Sequence, residues 1–253
     1  MPSIIGLIPA RSGSKRIPEK NIRRLGDHPL LAYTIASAIG SGVFDCVLVS
    51  TDSEHYADIA RHYGAEAPFL RPADFSADLS PDIEWVEYTL TRLAEEGRRF
   101  DCFSILRPTS PFRLPDTIRR AWRIFLSQKG VDSLRAVEKC KQHPGKMWVI
   151  RQNRMMPLLP LGPEDQPWHS SPYQSLPEVY VQNASLEIAW SRVVFEDRTI
   201  AGNVIVPFHT QGFEGFDLND HYDWSYALQL LSSQKAQLPE VEQTPYGKEG
   251  ETY

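Results

Sequence analysis

The chain has 253 residues, 42% of them hydrophobic and 23% charged, with a formal net charge of −5 and a sequence pI near 5.8. This is the balance of an ordinary soluble globular protein, long enough to bury a substantial apolar core. It excludes the broad basic face of a general nucleic-acid binder, and no stretch approaches the roughly 18 uninterrupted apolar residues of a membrane span, so neither nucleic acid nor membrane is an expected partner.

Along the chain, Ile4 to Ile8 reads as a buried strand. The N-terminal MPSIIGLIPARSG turns charged too soon for a secretory signal. A turn-rich loop from Pro9 to about Pro29 follows, and Leu31, Ile35, Ala38 and Ile39 then recur at helical spacing. Cys46–Ser50 is a second buried strand, and Ser53 can cap a helix carrying Tyr56, Ile59, Ala60 and Tyr63. Ser80-Pro81 is a start signal, a capping hydroxyl before a first-turn proline, for a helix continuing through Ile83, Val86, Leu90 and Leu93. Cys102 to Leu106 is another strand, Pro115 opens a helix with Ile118, Ala121, Trp122 and Phe125 inward, and Val131 to Val137 returns to strand. The alternation over about 135 residues implies an α/β fold with a doubly wound, mostly parallel sheet. Ligands in such sheets bind beyond the carboxyl ends of the strands, so the loops after Ile8, Ser50 and Leu106 should line one site.

The pattern breaks from Glu138 to Gln182, where seven prolines fall and amphipathic periodicity disappears. Trp148–Ile150 and Val179–Val181 are read as paired strands of an extended arm. A long excursion without its own core must pack on something, and a second subunit is the natural candidate, giving a homodimer through the arm. Ser185–Trp190 and Val204–Val206 are short strands, and Trp224, Ala227, Leu228 and Leu231 mark the last helix. The domain reading is a nucleotide-binding core of residues 1–137 and 183–236, an arm of 138–182, and a loose polar tail of 237–253. Three widely spaced cysteines, Cys46, Cys102 and Cys140, form neither a disulfide framework nor a zinc knuckle, so a cytoplasmic protein with reduced thiols is expected.

The first loop concentrates charge that the whole chain lacks. Six cations stand between Arg11 and Arg24 against one acid, Glu19. Ser12, Gly13 and Ser14 let backbone N–H groups approach an anion closely; arginine supplies a planar fork and lysine a mobile point charge. A triphosphate needs that mixture. The loop is neither a Walker loop nor a GxGxxG fingerprint. The seven histidines show no metal-ligand spacing, and no serine or aspartate forms an evident nucleophile–base set with them.

IPARSGSKRIPEKN, residues 8–21, resembles the N-terminal signature of the acylneuraminate cytidylyltransferases. Val49-Ser50-Thr51-Asp52, Leu70-Arg71-Pro72 with Ala77-Asp78, Arg107-Pro108-Thr109-Ser110-Pro111, Asn183-Ala184 and Phe216-Asp217-Leu218-Asn219 resemble later family segments in order and spacing, over most of residues 3–232. The resemblance implies a Rossmann-like nucleotidyltransferase fold. It also implies transfer of CMP from CTP to a 3-deoxy-2-keto sugar acid, a nonulosonate such as N-acetylneuraminate or a relative, with release of pyrophosphate. Carried over position by position, Arg11, Ser14, Lys15 and Lys20 would hold phosphates with Asn21 close by, and Ser12 and Gly13 belong to the same loop. Ala10, Arg71, Asp78 and the turn Pro108, Thr109, Ser110 would border the cytidine. Lys20 is the first choice as electrostatic catalyst, with Arg11 and Asp217 beside it.

A divalent cation, Mg2+, is the implied cofactor, with Asp217 and Asn219 at its site. Asparagine stands where the family has a second carboxylate, so the metal is held more weakly, or Asp220 substitutes, or waters intervene. At the sugar end the resemblance points to Arg107, Lys146, Tyr173 and Asn183. Arg107 replaces a usual glutamine, and Tyr173 stands where an arm arginine is usual; Arg107 is therefore expected to take over the sugar carboxylate. Glu187 stands where the family usually has an aromatic. Two further readings remain open: a nucleotidyltransferase of this fold using another nucleotide or sugar, and a degenerate, non-catalytic nucleotide-sugar-binding protein.

Overall fold

In a computed structural model that describes residues 1–247, the alternation of the sequence becomes a six-stranded sheet. The chain runs β1 Ile4–Pro9, a minimal hairpin of β2 Arg24–Leu25 and β3 His28–Pro29, α1 Leu30–Ser41, β4 Cys46–Ser50, α2 Glu54–His62 and α3 Asp82–Glu95. It continues through β5 Cys102–Ile105, α4 Pro115–Ser127, β6 Ser133–Lys139, β7 Trp148–Arg151 and β8 Arg154–Pro157. The last elements are β9 Tyr180–Trp190, α5 Arg192–Glu196, β10 Ile205–His209 and α6 His221–Ser232.

The sheet order is β10-β6-β9-β5-β1-β4. β1 pairs parallel to both β4 and β5, while β9 runs antiparallel to β5 with Ile105 opposite Glu187. Period-2 alternation supplies both faces. Ile4, Ile8, Val47 and Val49 join one core with Leu31, Ile35, Ile118 and Phe125 from α1 and α4. Ile5, Leu7, Leu48, Phe103 and Ile105 join the other with Trp85, Val86 and Val193 from α3 and α5. Burial on both faces explains why these strands read as unbroken apolar runs.

Two compact units emerge: Met1–Ala136 with the chain from Asn183 on, and Val137–Gln182. The chain passes between them within β6 and β9. In the second unit β7 and β8 form a hairpin, Arg151 opposite Arg154. Its two turn residues, Gln152 and Asn153, both have positive φ, +47° and +63°, the twist a two-residue hairpin turn needs. Its apolar side chains are largely uncovered: Ile150 is 68% exposed and Met155 56%, with Trp148, Met156, Leu158 and Leu161 also accessible.

Several expectations need correction. Trp148–Ile150 does not pair with Val179–Val181; its partner is Met155–Pro157, because a short connection beats a long one in closing a hairpin. Ser80 does not cap α3, which begins at Asp82 after Pro81; the Ser80 hydroxyl donates to the Asp74 carbonyl instead. Ser53 does cap α2, accepting from the Tyr56 N–H. In α6 the inward residues are Trp224, Ala227 and Leu230, while Leu228 is 46% exposed. Ile39, grouped with the inward face of α1, is 45% exposed. The segment from residue 237 is not loose as far as it is described. Leu238, Val241 and Tyr246 pack on the core, the Tyr246 N–H donates to the Tyr63 hydroxyl, and Arg24 donates to the Tyr246 carbonyl. Residues 248–253 of that tail lie outside the described residues.

Candidate active site

The loop after β1 is laced to the loop after β4. The Ala10 N–H donates to the Ser50 carbonyl, and the Ser12 N–H and hydroxyl both donate to the Asp52 carboxylate at 2.8 and 3.0 Å. The Asn21 amide donates to the Arg11 carbonyl at 3.1 Å, tying the two ends of the loop together. The Arg71 N–H donates to the Thr51 carbonyl, bringing a third loop in. At the carboxyl ends of β1, β4 and β5 lies a cleft lined by the loops after β1 and β5 and by residues between Arg71 and Trp85; the loop after Ser50, expected among the lining, instead braces the first loop.

Arg11, Ser14, Lys15, Lys20, Asn21, Arg71, Asp78, Arg107, Pro108 and Thr109 all line that cleft. Ala10, Ser12, Gly13 and Ser110 do not. Ala10 belongs to the core, Ser12 is spent on Asp52, and Ser110 is 1% exposed within its turn. Gly13 has open space where a Cβ would stand, so its backbone remains approachable. Asn183 is used inside the fold: its amide donates to the Thr210 hydroxyl and its carbonyl accepts from the Ser185 N–H. Lys146 and Tyr173 lie in the second unit, where Lys146 donates to the His169 and Ser171 carbonyls and the Tyr173 hydroxyl to the Lys141 carbonyl.

The cations of the cleft are held ready by different partners. Arg11 bonds Asp78 at 2.7 Å, and Lys15 bonds the other oxygen of the same carboxylate. These two ligands hold the Asp78 carboxyl below its usual range. Lys20 donates to the Leu218 carbonyl at 2.7 Å. Burial lowers its pKa, an effect that Asp217 opposes. Arg71 donates to the Ser50 hydroxyl at 3.0 Å and carbonyl at 2.8 Å, and its guanidinium stands 4.7 Å from the Trp85 ring centre. Burial lowers its pKa to about 10, although Asp52 and Asp82 favour the charge.

The Arg107 side chain meets two acids. Its NH2 lies 2.5 Å from Asp82 Oδ2 and 3.3 Å from Glu187 Oε1, and Glu187 Oε2 lies 2.6 Å from Arg135 NH1. Burial opposes the Arg107 charge, but the two carboxylates more than offset it and its pKa is raised. Behind the turn, Arg113 is 1% exposed and donates to the carbonyls of Arg107 and Ser185 and to the Thr34 hydroxyl. Among the described residues no acid pairs with it, and burial pushes its pKa down to about 9.

Asp82, Trp85 and Phe75 line the cleft without having been singled out in the sequence. The one available signal for Asp82 was its place after Ser80-Pro81, which reads equally well as a helix start. Arg135 and Arg113 carry no local signal, since their roles depend on neighbouring strands.

Asp217 supplies the feature that fits a cation. Its Oδ1 is buried and has no hydrogen-bond partner, while Oδ2 accepts from the Asn219 amide at 2.7 Å. Asp220 is committed elsewhere: it caps α6, accepting from the Tyr222 and Asp223 N–H groups. Among the described residues no group of three His, Cys, Asp or Glu side chains is arranged to hold a metal unaided. Magnesium is commonly held by one or two carboxylates together with substrate phosphates and water; the unpaired Asp217 oxygen fits that chemistry, while neither Asp217 nor Asn219 is among the residues that line the cleft.

A cytidylyltransferase family model matches residues 5–97. The chain is 32% identical over 234 residues to the CMP-N,N'-diacetyllegionaminic acid synthase of Legionella pneumophila, covering 90% of this chain and 96% of that protein. It is 43% identical over 122 residues to the N-acylneuraminate cytidylyltransferase of Escherichia coli O18:K1:H7, covering 48% of this chain but 28% of that longer protein. The solved structure of a CMP:2-keto-3-deoxy-manno-octonic acid synthetase complexed with CTP shares the fold at TM-score 0.65 and 12% identity, over 92% of this chain and 99% of that one. End-to-end likeness to a CMP-sugar-acid synthase, together with a cation-lined cleft beyond the strand ends, makes this chain a member of the acylneuraminate cytidylyltransferase family.

Proposed function

We propose that the protein transfers CMP from CTP to a nonulosonate, a 3-deoxy-2-keto sugar acid of the legionaminate, pseudaminate or N-acetylneuraminate kind. The observation that carries this reading is the convergence of Arg11, Lys15, Lys20 and Arg71 on one cleft at the carboxyl ends of three strands. The anomeric hydroxyl oxygen of the sugar acid attacks the α-phosphorus as its proton passes to water, the bond from the α-phosphorus to the α,β-bridging oxygen breaks, and pyrophosphate leaves. Such a transfer depends on alignment and on stabilising charge spread over phosphoryl oxygens. Lys20 is the residue assigned to the α-phosphate. Arg11, Lys15 and Ser14 take the outer phosphates, releasing Asp78 as they do. Arg71, with Pro108 and Thr109, borders the nucleoside, and Arg107 receives the sugar carboxylate. Asp217, with the Asn219 carbonyl oxygen after an amide turn, would hold Mg2+. The ion, when bound, would neutralise charge on the departing pyrophosphate.

The exposed apolar hairpin of the second unit supports assembly of two copies through that unit, as a homodimer. Ile150→Asp should then give a monomer in light scattering after size exclusion; an unchanged mass would reject that surface. Three free cysteines, and the lack among the described residues of any helix long and apolar enough to cross a membrane, accord with a cytoplasmic setting. The reaction is tested by incubating the protein with CTP, Mg2+ and a panel of keto-sugar acids, including an octulosonate, with the CMP-linked product read by mass spectrometry. Turnover with at least one acid is expected; failure of all of them would overturn the reading.

A further inference from the structure

Four charged side chains form a ladder across the sugar end of the cleft. Arg135 on β6, Glu187 on β9, Arg107 after β5 and Asp82 at the start of α3 follow one another, and β6, β9 and β5 are neighbours in the sheet. The set is two cations and two anions. Its members differ in access. The Glu187 side chain is 5% exposed and that of Arg135 15%, whereas Asp82 and Arg107 are 29% and 27% exposed and both line the cleft. The two acids touch the same guanidinium nitrogen, but Asp82 lines the cleft and Glu187 does not.

We propose that the two carboxylates have opposite effects on the sugar acid: Glu187, pinned by Arg135, positions Arg107, while Asp82 is a stand-in anion that the sugar carboxylate must displace. The inference rests on the reading of Arg107 given above. Arg107 cannot leave Glu187 cheaply, because the separation would leave a carboxylate that is only 5% exposed with one cation in place of two. Asp82 can turn away at lower cost. It keeps the Trp85 indole N–H at 2.8 Å and lies within the field of Arg71, which together with Arg107 holds its carboxyl below the usual range despite burial. Adding a substrate carboxylate to the intact ladder leaves it one negative charge in excess, unless Asp82 gives way. Removing the Asp82 charge makes the loaded ladder neutral.

The test measures sugar-acid KM, CTP KM and kcat for Asp82→Asn, Glu187→Gln and the double variant, using whichever keto-sugar acid the wild-type protein turns over. Asp82→Asn should lower sugar-acid KM by roughly three- to tenfold, the range of a partly exposed ion pair, and Glu187→Gln should raise it by roughly tenfold or more. CTP KM should stay within about twofold in both, since neither acid is assigned to the nucleotide. A purely structural role would move both KM values and the melting temperature together, and would not produce opposite signs. If Glu187→Gln fails to fold, the sign of the Asp82→Asn effect still decides. A rise in sugar-acid KM in Asp82→Asn, or a rise in CTP KM alone, which would assign Asp82 to the nucleotide, overturns the proposal. Absence of turnover with every acid in the wild-type protein overturns the functional reading instead, so the two failures are distinguishable.

Discussion

Replacing Arg71 by methionine separates what this residue does for the fold from what it does for the ligand. Arg71 is 6% exposed, and its pKa falls to about 10 from the ordinary 12.5. A difference of that size corresponds to about 3 kcal/mol acting against the charged form. Against it stand two charge-assisted hydrogen bonds to Ser50, each contributing about 1.5–3 kcal/mol, and the contact with Trp85, about 1–2 kcal/mol. Methionine relieves the burial of charge and keeps an apolar stem on the indole, so the net loss should be about 0–3 kcal/mol. In a chain of this length that lowers the melting temperature by no more than about 10 °C. The ligand side is unequal. The Arg71 side chain lines the cleft, and its bonds to Ser50 use Nε and one terminal nitrogen. Losing one charge-assisted bond to the nucleotide should weaken CTP binding roughly 10- to 150-fold by titration calorimetry. The variant should also lose most of the CTP-induced rise in melting temperature. A fall of more than about 15 °C with CTP affinity kept within about threefold would refute the argument, since it would make Arg71 a structural residue.

Lys20→Met should reduce kcat by roughly 10²–10³-fold in a pyrophosphate-release assay while the protein remains folded. Because burial lowers the Lys20 pKa, its charge is a cost to stability below that pKa and is lost as pH rises through it; the alkaline limb of kcat/KM for CTP should therefore fall below pH 10.5, and Lys20→Arg should move it upward. Asp78→Asn should tighten CTP binding a few-fold at low ionic strength, with the difference vanishing in concentrated salt, because it frees Arg11 and Lys15; weaker binding would instead place Asp78 against the ribose. Asp217→Asn should raise the Mg2+ concentration needed for half-maximal activity by roughly tenfold or more, and an unchanged Mg2+ requirement would remove Asp217 from the metal site.

How much of this was legible beforehand depended on whether the signal was local. Ser53 before Tyr56, and Pro115 before Ile118, announce helices because a cap and an amphipathic stripe sit within one or two turns. The apolar runs at Ile4 and Cys46 show that strands exist but carry no record of their partners, which is why pattern alone points Trp148–Ile150 to the wrong segment. The tail failed for a related reason. Leu238, Val241 and Tyr246 are too sparse to form a pattern, yet each finds a place on an existing core. In the site, the basic loop declared its charge, and ten of the singled-out residues line the cleft. Asp82 did not declare itself, and neither did the burial of Glu187 between two arginines, since both follow from which strands become neighbours. Asp220 shows the converse. A carboxylate next to the metal candidate looks like a ligand in sequence, but the first turn of α6 claims it.

The peptide at Leu218 is tethered at both ends, its N–H to the Thr109 carbonyl and its oxygen to Lys20. A neutral oxygen is a modest partner for an ammonium group compared with a carboxylate. In the proposed reaction Lys20 would exchange that neutral acceptor for a phosphoryl oxygen with no ion pair of its own to break, unlike Arg11 and Lys15, which rest on Asp78.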